Sequence, residues 1–448
     1  MSNPGQADPT PITSARQLAD WFASGSKTKA DWRIGTEHEK FGFRRHDLTP
    51  PDYEHQGIEA MLEGIMAKGW EPIRDKGKVI GLTSAGGASV SLEPGGQFEL
   101  SGAPMRDLHG TRLELAAHLR DVHEVAGPLG LGFAGLGFHP VARREDMSWM
   151  PKSRYAIMRR YMPTKGSLGL DMMLRTSTVQ VNLDFGEEAD MVEKLRVSLA
   201  LQPLATALFA SSPLREGKPS GYKSLRGHVW SDTDPDRTGI PALVFEDGFG
   251  FERFAEYAID VPMYFVAREG ALHDVAGQSF RRFMSRGLDG LPGIEATMGD
   301  VADHVTTIFT EVRLKKFLEM RGSDSGNAAM LLAEPAFWVG LLYDDAAQKA
   351  ARALTRGWTV PEMHALRADA PRLALEASIG GRSLRDVALD VLAIAEGGLK
   401  ARGLGEEAYL APLWEIAHSG QTQADRILTL YEKAWGGDAG QALLFAEL

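Results

Sequence analysis

Two glutamates, Glu37 and Glu39, stand two residues apart in the run from Gly35 to Phe43, GTEHEKFGF. On an extended chain such a pair shares one face, with His38 and Lys40 on the other. Neighbouring carboxylates repel, and a divalent cation relieves the repulsion; hard oxygen ligands of this kind suit Mg²⁺ or Mn²⁺. A solvated edge strand would carry the same pair, so a metal site needs matching residues elsewhere in the chain.

Such residues recur. Between Ala88 and Gly102 the turn Pro94, Gly95, Gly96 joins two alternating flanks. Val90, Leu92, Phe98 and Leu100 fall on one face; Ser89, Ser91, Glu93, Gln97, Glu99 and Ser101 fall on the other. Water-facing antiparallel strands show the same alternation, but they usually mix Lys, Arg and Thr with their acids. From Met172 to Phe185, Thr176, Thr178, Gln180, Asn182 and Asp184 are polar while the odd positions from Val179 are apolar, which reads as another one-faced strand. Glu311 to Arg321 puts Arg313, Lys315, Glu319 and Arg321 on one face and Leu314, Leu318 and Met320 on the other, with the alternation broken at Lys316 and Phe317. A carboxylate two residues from an arginine suits phosphoryl transfer, as metal ligand beside charge stabiliser, and equally suits a plain ion pair.

The elements that must hold these segments are mostly helical. A capping box at Ser14 and Gln17 opens a helix to about Ala23. Further helices are expected over Gly57–Trp70, Arg106–Val125, Lys152–Tyr161, Glu187–Ala210 and Val301–Phe309, with a short strand at Pro262–Ala267. The segment Arg226–Gly239 reads as a loop from its Gly, Pro and Asp content. Its Asp232, Asp234 and Asp236 resemble a calcium loop, but Arg237 stands where glycine is required and Leu243 where the bidentate Glu should be. Trp230 and Arg237 on this loop could contact a ligand, or be a packed indole and a surface ion pair. Gly130, Gly132 and Gly135 match G-x-G-x-x-G, yet a helix precedes them and His139-Pro140 follows, the reverse of a dinucleotide site. No phosphate-binding G-x-x-x-x-G-K-[ST] occurs. From about residue 335 the chain turns Ala- and Leu-rich and helical, for instance over 345–355, 383–395 and 424–434. Residues 1–12 are expected to form a disordered lead, with no signal peptide, and 13–448 a single catalytic domain with a helical C-terminal portion.

Composition narrows the partners. The 448 residues include 49 basic and 60 acidic side chains, a net charge of −11, which disfavours nucleic acid and anionic membranes. The apolar run Leu199–Leu214 is too short and too interrupted to span a bilayer. Cysteine is absent, so disulfides and thiolate chemistry are excluded and a reducing cytoplasm is the expected location. Several one-faced strands with carboxylates at Glu37, Glu39, Glu93, Glu99 and Glu319, and arginines among them, suit Mg²⁺ ions around a polyphosphate, as in an ATP-dependent ligase that activates a carboxylate.

Four stretches resemble the plant and proteobacterial type of glutamate-cysteine ligase: Gly35–Phe43; Ser91–Pro104, SLEPGGQFELSGAP; the run from Asp171 through Arg175 to Asn182 and Asp184; and Phe317–Gly322, FLEMRG. The resemblance implies an α+β fold, a glutamine-synthetase-like antiparallel sheet with helices packed on one face. It implies joining of the γ-carboxylate of L-glutamate to the amine of L-cysteine through an acyl phosphate, the first step toward glutathione. By the same resemblance Glu37, Glu39, Glu93, Glu99 and Glu319 would ligate Mg²⁺, or Mn²⁺, and Arg321 would contact the transferring phosphoryl group. Arg175, Trp230 and Arg237 would bind glutamate, and Tyr264 would line the cysteine pocket. Plant enzymes of this type use cysteines for redox control; that switch is excluded here, so any regulation works otherwise, for example as feedback by glutathione. Oligomeric state stays open. Another amine in place of cysteine, a two-carboxylate glycoside hydrolase and a non-catalytic anion-binding sheet are the alternatives.

Overall fold

In the computed structural model, which describes residues 8–448, the Glu37/Glu39 segment is not an edge. It lies in strand β1 (Ile34–Arg44), inside a nine-stranded sheet. The other strands are β2 (Glu71–Asp75), β3 (Lys78–Thr83), β4 (Ser89–Leu92), β5 (Phe98–Ser101), β6 (Leu131–Ala134), β7 (Thr178–Leu183) and two further strands, Val312–Leu314 and Leu318–Asp324. From one edge the order is Val312–Leu314, Leu318–Asp324, β7, β1, β5, β4, β3, β2, with β6 paired to the far end of β1. Every pairing in it is antiparallel.

The period-2 pattern explains why one face is apolar. Val179, Val181, Leu183, Leu318 and Met320 point the same way and are buried. Helices Glu188–Leu208 and Ala328–Leu342 pack against the Leu318–Asp324 strand and β7 respectively. The first of these from Val197 onward, and the second from Met330 onward, are buried on every side, as helices sandwiched within a core must be. The α+β arrangement with helices on one sheet face is therefore the one expected.

Several boundaries differ from the sequence reading, each for a local reason. Met172–Arg175 is not strand: it closes helix Gly169–Arg175, where the Arg175 guanidinium bonds Asp171 one turn back. The segment Arg226–Gly239 is not all loop: Leu225–Ser231 is a helix, capped by the Ser224 hydroxyl accepting the Gly227 N–H. Glu311–Arg321 is a hairpin, and the broken alternation at Lys316 and Phe317 is its turn, closed by Lys315 N–H donating to the Phe317 carbonyl at 2.8 Å. The C-terminal helices begin at Ala328, with Pro335 inside the first of them and Asn327 as its cap.

Of the lead expected to be disordered, residues 1–7 lie outside the described residues. Pro11 and Ile12 are held: Pro11 bridges Thr297, and the buried Ile12 donates its N–H to Ala296 at 3.0 Å. No helix among the described residues is long and apolar enough to cross a membrane. The glycine run at 130–135 enters β6 from a helix and is followed by no helix before Arg144, so it lacks the strand-then-helix setting of a dinucleotide fingerprint.

Candidate active site

Register brings the expected carboxylates to one sheet face. Across β1 and β5, Glu37 faces Ser101 and Glu39 faces Glu99 directly. Across β1 and β7, Glu37 faces Gln180; on the far side of β7, Glu319 faces Asn182. Arg313 faces Glu319 across the last hairpin. Since directly opposed residues place their Cβ atoms about 4.5–5.5 Å apart, these side chains form one continuous polar surface. Glu39, Glu93, Glu99, Arg313 and Arg321 line a cleft over it, walled by Arg154 and Tyr155 of helix Ser153–Tyr161 and by Arg226 and Trp230 of helix Leu225–Ser231.

The acidic wall is fixed by main-chain contacts at the hairpin turn. Gly95 passes so close to the next element that a Cβ there would sit 2.2 Å from the Leu174 carbonyl oxygen, and Gly96 has φ +83°. The Gln97 amide donates to the carbonyls of Thr176 at 2.7 Å and Met173 at 3.3 Å, and its oxygen accepts the Gly95 N–H at 2.9 Å. Met150 donates its N–H to Pro94 at 2.9 Å.

Charge is distributed unevenly over the cleft. At one end burial, then the neighbouring Glu93 and Glu99, push the Glu39 carboxyl well above its usual range. Burial with Glu37 and Glu93 likewise pushes Glu99 up to about 7. Ser91 and Ser101 each donate to Glu99 at 3.0 Å, and the Thr178 N–H donates to Glu39 at 3.0 Å. At the other end cations dominate. Burial opposes ionisation of Glu319, but Arg313, Lys315 and Arg321 overcome it and hold the carboxyl well below its usual range. Arg313 donates to it at 2.6 and 3.2 Å, Lys315 lies 2.7 Å away, and Arg321 is also bonded to it.

Facing carboxylates such as Glu39 and Glu99, which burial holds above their usual range, are a donor set a hard divalent cation fits. Among the described residues no three acids or imidazoles converge tightly enough to hold a cation unaided.

The substrate residues expected from sequence divide. Trp230 lines the cleft. Arg175, Arg237 and Tyr264 do not, and all three are buried with internal partners. Arg175 is bonded to Asp171, to Glu216 at 2.7 Å and to the Ala142 carbonyl at 3.1 Å, with its guanidinium 4.9 Å from the Phe138 ring. Arg237 donates to Asp234 at 2.6 Å and to the Thr307 and Pro262 carbonyls at 3.1 and 2.8 Å, stacked 3.9 Å from the Tyr264 ring. Tyr264 turns its hydroxyl to Asp234 at 3.4 Å. These groups brace the walls. Replacing Asp234 with alanine strands a buried guanidinium, and urea unfolding should show a loss of roughly 3–5 kcal/mol; an unchanged midpoint would return Arg237 to the list of ligand contacts.

The cleft also holds residues that the sequence reading did not single out. Arg226 is buried, donates to the Arg321 carbonyl at 2.7 Å and leaves its Nε without a partner. Its helix was read as loop, which hid its direction. Arg154 sits on a helix with no distinguishing pattern. Gln97, Thr178 and Gln180 did carry a signal, since each falls on the polar parity of its segment.

Comparison with known proteins is consistent with this geometry. The family model described as glutamate-cysteine ligase family 2 matches residues 33–444. The chain is 52% identical over 427 residues to the chloroplastic glutamate–cysteine ligase of Arabidopsis thaliana, covering 95% of this chain and 81% of that one. Identity to the chloroplastic enzyme of Brassica juncea is 51% over 427 residues, 95% of this chain and 82% of the relative. Among solved structures, a glutamate–cysteine ligase from Francisella tularensis in complex with AMP superposes with a TM-score of 0.57 at 12% identity, covering 94% of this chain and 88% of the other, a likeness of fold. The chloroplastic relatives overturn the cytoplasmic expectation: a cysteine-free composition does not distinguish one reducing compartment from another.

Proposed function

The chain belongs to glutamate-cysteine ligase family 2, and from that premise we propose that the polar sheet face is where ATP activates glutamate for ligation. The reaction is ATP-dependent joining of the γ-carboxylate of L-glutamate to the amine of L-cysteine, the first step of glutathione synthesis. The observation that carries the site is the shared surface of Glu39, Glu99, Glu319 and Arg321, drawn from three distant parts of the chain.

In this reading the cleft's two ends divide the work. Glu39 and Glu99, with Glu37 and Glu93 beside them, would hold Mg²⁺, which when bound would neutralise phosphate charge. Glu319 first serves to fix the cations around it, and meets a metal only if substrate draws Arg313, Lys315 or Arg321 away. Arg321 faces the γ-phosphoryl group as the glutamate carboxylate attacks in line, giving the acyl phosphate and ADP. Arg226 and Trp230, on the opposite wall, bind the glutamate. Arg175, Arg237 and Tyr264 keep both walls in place. The neutral amine of cysteine then attacks the acyl carbon and phosphate leaves. Closing the cleft protects the acyl phosphate from water. Residues 13–448 act as one catalytic domain, since the C-terminal helix Ala328–Leu342 packs directly on β1 and β7.

The test is ADP release with glutamate and each of several small amines. Full rate with cysteine and a low rate without an amine support the reading. Equal rates with unrelated amines would sink the cysteine assignment, and nucleotide-independent hydrolysis of a glycoside would sink the ligase site.

A further inference from the structure

Outside the cleft, the chain just before β1 builds a second charged site. Lys29, Arg33, Arg106 and Arg402 surround a pocket of about 300 Å³, closed by Trp32 and Tyr343, with no acid in its lining. The placement is specified locally. Ile34 and Met105 exchange N–H and carbonyl bonds at 2.8 Å, which brings Arg33 and Arg106 onto neighbouring extended segments. Trp32 and Tyr343 pack with ring centroids 4.8 Å apart and form the floor.

Accounting for the charges separates two of the four. Lys29 pairs with Asp345, and Arg402 pairs with Glu406 at 2.8 Å. Lys194, beneath the floor and 3.4 Å from the Trp32 ring centre, pairs with Asp190 at 2.9 Å. Arg33 spends one nitrogen on the Ala30 and Trp32 carbonyls, at 3.2 and 2.8 Å. Neither Arg33 nor Arg106 has a carboxylate partner among the described residues, so two positive charges face one pocket on a protein whose net charge is −11. Two guanidinium groups lining one small concave site match a doubly charged oxyanion.

The geometry points to a second, peripheral binding site here, for the phosphate group of a small phosphorylated metabolite or for free phosphate. None of its lining residues lines the ligation cleft, so it is a distinct site. It is nevertheless mechanically close. The Arg33 N–H is held by Asp184 at 2.7 Å and its carbonyl by the Tyr343 hydroxyl, and Arg33 leads directly into β1, which carries Glu37.

The test is calorimetric titration of the full chain with inorganic phosphate and with glycerol phosphate, the ligation cleft being filled by a non-hydrolysable ATP analogue. Wild type should bind, with affinity that falls as salt rises. Arg33→Gln and Arg106→Gln should each weaken binding at least tenfold, Arg106→Lys should recover part of it, and Arg106→Gln should keep wild-type kcat and KM in phosphate-free buffer. Tighter binding of glycerol phosphate identifies an organic ligand; equal or tighter binding of inorganic phosphate identifies free phosphate. No binding by wild type, wild-type binding by both glutamine variants, or an equal loss in Arg74→Gln, an exposed arginine elsewhere, overturns the proposal.

Discussion

Arg321→Ala should lower kcat by about a thousandfold, roughly 4 kcal/mol of transition-state stabilisation, with the melting temperature little changed. Arg321 reaches over the cleft between the Trp230 and Phe309 rings, its guanidinium 5.9 and 5.7 Å from them, and donates to Gln180 at 2.9 Å. An arginine aimed at a phosphoryl group in flight stabilises charge that spreads over the equatorial oxygens only in the transition state. The loss therefore belongs to kcat more than to KM. The fold should survive, because Arg313 and Lys315 stay bonded to Glu319 when Arg321 is cut back. Arg321→Lys should recover little, since an ammonium lacks the planar fork. A folded alanine variant within tenfold of wild-type turnover would remove Arg321 from the chemistry.

Glu39→Gln and Glu99→Gln should have effects of opposite sign on activity and on stability. Each removes one of two facing carboxylates, so the Mg²⁺ concentration for half-maximal rate should rise at least 10- to 100-fold, the cost typical of losing even an outer partner of a metal ligand. Without metal, each variant should melt above wild type, because it removes a carboxyl that burial first, and neighbouring acids second, hold above its usual range. Glutamine also preserves shape: at position 39 its oxygen can accept the Thr178 N–H, and at position 99 its oxygen accepts one serine hydroxyl while its NH2 donates to the other. Turnover that falls without any change in Mg²⁺ requirement, or variants that melt lower in chelator, would place the cation elsewhere.

The acidic face was legible because a period of two survives whatever the tertiary contacts do. Glu37 with Glu39, the Ser91-to-Ser101 hairpin and the polar positions from Thr178 to Asn182 all lie on the side that parity assigned. Parity misled only where a helix met the strand: Met172 to Arg175 carry no β-branched residue, and the Asp171–Arg175 spacing was a helical signal. The same lesson covers the misplaced substrate residues. Arg175 and Arg237 are arginines of the right type, but Asp171 and Asp234, four and three residues before them, were already the partners that turn them inward. Arg226 was hidden because its cap, Ser224, stood just outside the segment taken as loop. Arg154 and the pairing of Arg33 with Arg106 depend on which strands become neighbours, and no spacing along the chain states that.

The Pro94–Gly96 turn decides where the cleft can be remodelled. Clearances there are set by the carbonyls of Met173, Leu174 and Thr176 and by glycines, so this half behaves like a cast part that exchange of side chains hardly reshapes. Any retuning toward a different carboxylate substrate has to be carved into the facing wall, where Arg226 and Trp230 present side chains that can be swapped one at a time.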